Sequence, residues 1–125
     1  MGALEEAKQY LAKAREFLEA AQVNFDLDLF NAATSNAVTS GINAKDAICS
    51  KVTGRTGKSD DHNTAVDELR RSGPDVKSLA PTLRRLLTLK QKAQYQEMSV
   101  SAADAKHAVR WAELIYEKAQ IVVSR

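Results

Sequence analysis

The sequence predicts an all-α fold, an antiparallel up-and-down helical bundle of four long helices plus one short helix. Three observations predict it. Apolar and small residues recur at alternating three- and four-residue spacing through most of the chain, the connections between those stretches are short, and no alternating Val/Ile/Thr-rich stretch reads as a strand.

The first helix carries Leu4, Ala7, Leu11, Ala14, Leu18, Ala21 and Phe25 on one side, with Tyr10 and Phe17 widening the stripe and Glu5, Glu6, Lys13, Arg15, Glu16 and Glu19 opposite. "DLD" turns the chain. The second helix is expected from Asp28 or Leu29, with aspartate as its cap, through Phe30, Ala33, Ala37, Ser40 or Gly41, Ala44 and Ile48. Small residues in its middle admit a neighbouring helix closely, although a glycine inside a helix costs about 1 kcal/mol relative to alanine. "TGRTGKSDD" ends this helix, and Asp60 or Asp61 is placed to cap a short third helix with Ala65, Val66 and Leu69 inward. "RSGPD" reads as the next turn. Ser78 is expected to cap a helix carrying Leu79, Leu83, Leu86, Lys90 and Ala93, whose first turn tolerates Pro81. Ser101, with Asp104 three residues on, resembles a capping box before the last stripe of Ala105, Ala108, Ala112, Ile115, Ala119 and Val122.

At 125 residues the chain reads as one domain over 1–125, too short for two comfortable cores. Its 27% charged and 44% hydrophobic residues suit a water-soluble protein, and no apolar run approaches the ~18 residues that suggest a membrane span. Acids near the start, where a secretory signal would be basic, lead us to expect a cytoplasmic protein. The lone Cys49 excludes an internal disulfide and a cysteine zinc cage, and no pattern calls for a metal or a cofactor. A net charge of +2 is too small to specify a polyanionic partner, so any RNA contact must come from a local patch.

"GRTGKSDDH" invites comparison with a phosphate-binding loop. That loop needs a glycine five positions before its Gly-Lys-Ser, where this chain has Val52, and a strand before it, where this chain reads as helix. His62 is the residue of this stretch with chemical potential, because histidine exchanges protons near neutral pH. Lys90 interrupts an apolar stripe, and an ammonium placed there requires an acid, a phosphate or an outward path. Asp46 on the second helix is the expected acid. Lys58, Arg70, Arg71, Arg84 and Arg85 form a candidate basic surface, while His107, Trp111 and Tyr116 flank the last stripe as packing or partner-facing residues.

The segments "DLFNAATSNAVTSGINAKDAIC", "DDHNTAVDEL", "LLTLKQKAQY" and "VSAADAKHAVRWAELIYEKA", in that order, resemble the HEPN family of small helical bundles. The motifs carrying the resemblance are Asn31-Ala32-Ala33 entering the second helix, His62 opening the third, Lys90 five positions before Tyr95, and Ser101 to Ala105 entering the last helix. The resemblance implies a cytoplasmic homodimer that binds RNA, a nucleotide or a nucleotidyltransferase-fold protein partner, within a toxin–antitoxin system. Asp46, His62, Lys90 and Tyr95 are the expected ligand-binding residues: Asp46 pairing with Lys90, His62 exchanging a proton or bonding phosphate, Lys90 contacting phosphate and Tyr95 stacking. The resemblance implies that family nucleases carry an arginine, four to six intervening residues and a histidine, a count that Arg55 and His62 meet with six between them, so a metal-independent endoribonuclease is the catalytic alternative. The departures are Arg55 in a connection rather than on a helix, Asn36 where arginine is frequent, Val38 and Thr39 for an aromatic pair, and Lys90 for arginine. A non-catalytic helical interaction protein, with Trp111 at its partner surface, is the remaining alternative.

Overall fold

A computed structural model describes residues 2–54, 57, 61–95, 97 and 99–125, with Tyr95 described by its backbone alone. Its described helices are α1 (Ala3–Asp26), α2 (Phe30–Thr53), α3 (His62–Arg70), α4 (Pro74–Lys77), α5 (Ala80–Tyr95) and α6 (Ala102–Val123), and no strand occurs among the described residues. The expected all-α architecture is present, with α1, α2, α5 and α6 as the long helices.

Side-chain hydrogen bonds show how these helices run. Ser50 Oγ donates to the Ala3 carbonyl at 3.2 Å, Ser40 Oγ to the Ala14 carbonyl at 2.7 Å, and Asn36 Nδ2 to Asn24 Oδ1 at 2.7 Å. Residue numbers rise along α1 as they fall along α2, so the two are antiparallel. Gln94 Nε2 donating to Ser35 Oγ, with Leu86 packed at Gly41, makes α5 antiparallel to α2 as well. Asn31 Oδ1 accepts from Val100 N near the start of α6, and Lys51 Nζ reaches the Arg125 carbonyl near its end, so α6 runs parallel to α2.

The core follows the stripes. Ala7, Ala14, Leu18 and Ala21 of α1 are buried, as are Ala33, Ala37, Ser40, Gly41, Ala44 and Ile48 of α2 and the whole alanine-rich stripe of α6. A Cβ at Gly41 would overlap Leu86 Cδ2, so this glycine exchanges helix propensity for close approach of α5. Ser101 caps α6 by accepting from the Asp104 amide at 3.1 Å, and Asp61 caps α3 by accepting from Asn63 N at 3.0 Å. Asp60 lies outside the described residues.

Three local expectations are corrected. Asp28 does not cap α2: it adopts φ 59°, a left-handed conformation that aspartate tolerates in turns, and Leu29 is the capping position without a side-chain bond. "RSGPD" is more than a turn, because Gly73 at φ 122° redirects the chain and Pro74 opens the one-turn helix α4. Ser78 therefore terminates α4 rather than capping α5, whose Leu83 amide donates to the Leu79 carbonyl instead. No helix among the described residues is long and apolar enough to cross a membrane.

Candidate functional site

A cleft of about 340 Å³ opens where α3 leans on α2 and α5. Helical spacing supplies its lining one turn apart: Tyr10 and Lys13 from α1, Ile42 with Lys45 and Asp46 from α2, His62 and Ala65 from α3, and Leu87 and Lys90 from α5. Gly57 and Asp61 add the connection between α2 and α3. Ile42, Ala65 and Leu87 make an apolar floor, and the charged groups stand around it.

Asp61 determines where His62 falls. Besides its backbone bond to Asn63, its carboxylate accepts from Thr64 Oγ1 at 3.1 Å, which fixes the start of α3 and leaves His62 at its first position. Arg84 Nη1 donates to Asn63 Oδ1 at 3.2 Å, tying that start to α5. His62 is partly buried, and its ring makes no hydrogen bond among the described residues.

The most confined charge is Lys45, whose side chain is 3% exposed. Its ammonium lies 2.6 Å from Asp46 Oδ1 and 3.6 Å from Glu68 Oε2 of α3. A buried ammonium without acids beside it would be strongly destabilising, so this cluster is a condition for α3 to dock. The expected pairing of Asp46 with Lys90 is corrected here: Asp46 holds Lys45, and Lys90, partly buried at the cleft, makes no ion pair among the described residues. Lys13, exposed at the rim, makes none there either.

Below the cleft, burial pushes the Cys49 thiol above its ordinary pKa. Ser72 Oγ donates to the Glu68 carbonyl at 2.8 Å, which leaves the thiol as the donor in its 3.2 Å contact with Ser72 Oγ. Cys49 is therefore a packed thiol, the small-hydrophobe role that its solitary position suggests. Elsewhere, the Lys92 ammonium 2.8 Å away holds the Asp104 carboxyl below the usual range, and Arg125 does the same for Asp75.

Of the ligand-binding residues expected from sequence, Asp46, His62 and Lys90 line this one cleft. Tyr95 ends α5, with its side chain outside the described residues, and Arg55 also lies outside them. Sequence reasoning passed over Tyr10, Lys13, Lys45 and Glu68. Tyr10 had a signal, since it widens α1's stripe, and Lys13 lies one turn beyond it towards the charged side. Lys45 had a faint one, since Gly41, Ile42, Ile48 and Cys49 lie one turn away from it on α2, but its partner Glu68 on α3 is not readable from that spacing. The basic surface is dispersed, with Arg70 on Asp67 at 2.8 Å and Arg84 on Asn63, while Lys58 lies outside the described residues. Trp111 packs partly against the core and meets the His107 ring with centroids 5.4 Å apart.

Comparison with curated proteins finds no match. The family model described as HEPN domain matches residues 7–122, which takes in α2 to α5 whole and nearly all of α1 and α6. That span covers the bundle and every wall of the cleft, and the chain belongs to the HEPN domain family.

Proposed function

We propose that the protein, acting as a single domain over residues 1–125, binds RNA or a nucleotide in this cleft. The carrying observation is the convergence of Lys13, His62 and Lys90 from three helices, none with an acidic partner among the described residues, in a cleft whose other lysine, Lys45, is already compensated by Asp46. Ammonium groups without internal partners, with an imidazole beside them, suit phosphate oxygens. The apolar floor and Tyr10 suit the flat face of a base, and Tyr95 at the end of α5 is assigned a second stacking role. Membership of a family linked to RNA supports the same reading.

Fluorescence anisotropy with labelled single-stranded RNA and with nucleotides tests it. Binding is expected at low salt, weakening as salt rises, because phosphate contacts release counterions. No measurable binding of either probe at low salt overturns the reading. His62, in the cleft with no internal side-chain bond, also supports a catalytic version in which it exchanges a proton and Arg55 stabilises phosphate charge. Cleavage of RNA without added metal, lost in His62→Ala, is its expected outcome; intact RNA after incubation with the folded protein removes it.

The proposal extends to a cytoplasmic homodimer working with a nucleotidyltransferase-fold partner in a toxin–antitoxin system. Exposed Val23, Leu27 and Leu29 around the α1–α2 turn support a partner contact of this kind. Light scattering that returns a monomer at all concentrations removes the dimer, and a neighbouring reading frame encoding a nucleotidyltransferase-type protein is the expected genomic context.

A further inference from the structure

The buried Lys45 cluster reaches beyond α2 and α3. Glu68, 3.6 Å from the Lys45 ammonium through Oε2, uses the same oxygen to accept the Gly57 amide at 2.8 Å. Gly57 belongs to the connection between α2 and α3 and lines the cleft together with Lys45. Backbone, carboxylate and buried ammonium thus form one continuous link from the connection to α2.

The residue at position 57 matches that link. A Cβ there would stand 2.5 Å from Glu68 Oε1, closer than real contacts come, and a tight 3.2 Å from its Cδ, so the Glu68 carboxylate would have to shift. Retreat of the carboxylate has a cost, because it removes one of the two acids beside the Lys45 ammonium, whose side chain is 3% exposed, and leaves Asp46 alone to compensate it. Glycine lets the carboxylate approach this closely, and a larger residue at 57 would displace it from its place between the Gly57 amide and Lys45.

We propose that Glu68 is a positioning residue, which, braced by Lys45, holds the backbone at Gly57 as one wall of the cleft. Lys45 and Glu68 then act on a ligand through the placement of that wall. The role in ligand binding rests on the proposed phosphate-binding reading, whereas the placement of the wall does not.

The test is a mutant cycle on Gly57→Ala and Glu68→Ala in the full chain, read by hydrogen exchange of the backbone amide at position 57 and by RNA anisotropy. Loss of a hydrogen bond to a charged acceptor is expected to speed exchange at that amide about tenfold in Glu68→Ala. Gly57→Ala is expected to speed it comparably, yet to add nothing in the Glu68→Ala background, because its clash partner is gone. Glu68→Gln, which keeps a neutral acceptor, is expected to lie between wild type and Glu68→Ala. RNA affinity is expected to fall several-fold wherever exchange rises, since each good polar contact is worth roughly 1 kcal/mol. Additive effects of the two alanine variants, or an unchanged exchange rate in Glu68→Ala, overturn the tether. Faster exchange with unchanged RNA affinity overturns its positioning role. If wild-type protein binds no RNA or nucleotide, the functional reading falls, and the exchange cycle alone decides the tether.

Discussion

The α1–α2–α6 side and the α2–α3–α5 side use the central helix α2 in opposite ways. Towards α1 and α6 it presents small residues, and its hydroxyls bond the backbone of the neighbour, as Ser40 does at Ala14 and Ser50 at Ala3. Towards α3 it presents a lysine that must be neutralised before it is buried. Packing by alanine is tolerant of chemistry and intolerant of volume. A buried ion cluster is the reverse, requiring a particular oxygen in a particular place. The difference teaches that one helix can serve as a spine on one side and as a wall of a site on the other.

The contrast predicts that stability and ligand binding respond separately. The largest loss of stability is expected for Ile48→Ala, which empties a fully buried position and should cost roughly 2–5 kcal/mol in urea unfolding. RNA affinity per folded molecule should be unchanged, and a weakened affinity there would break the separation. Lys90→Ala should do the opposite: its unfolding free energy should stay within about 0.5 kcal/mol of wild type, while RNA binding weakens and the salt dependence loses about one unit of slope. Cys49→Ala lies at the boundary between the two sides and should cost about 1 kcal/mol through lost packing and the lost thiol donor. The native thiol should react with a disulfide reagent only as fast as the chain opens, because burial holds it protonated and covered. The smallest effect belongs to Asp104, in the first turn of α6. Its carboxyl is held below the usual range by Lys92, so its contribution is complete above the unfolded pKa near ~4 and fades as pH falls towards the lowered folded value. Asp104→Asn should therefore lower the melting temperature slightly at neutral pH, with the difference from wild type closing in acid.

The packed side was largely legible. Periodicity alone identified Ala105, Ala108, Ala112, Ile115, Ala119 and Val122 as one buried face, because a regular helix converts spacing directly into direction. It is weaker at element ends, where Asp28 has the chemistry of a cap but adopts φ 59° and "RSGPD" has the composition of a turn but opens α4, since local dihedrals there answer to tertiary contacts. The cleft was half legible. Lys90 stood out by interrupting an apolar stripe and His62 by its place in a family motif. Lys45 and Glu68 acquire their meaning from each other across 23 positions, and no local pattern carries such a pairing.

The turn between α1 and α2 also has a kinetic side. Residues Leu27–Leu29 close two helices of 24 residues each against one another, so two long helices packed along their length are joined by only three residues. Closing so short a loop costs little chain entropy, whereas bringing α6 onto α1 spans most of the sequence. The α1–α2 hairpin is therefore the expected folding nucleus, with α6 docking late. Substitutions at Ala14 or Ala37 should slow refolding, while those at Ala119 should chiefly speed unfolding, in stopped-flow measurements with urea.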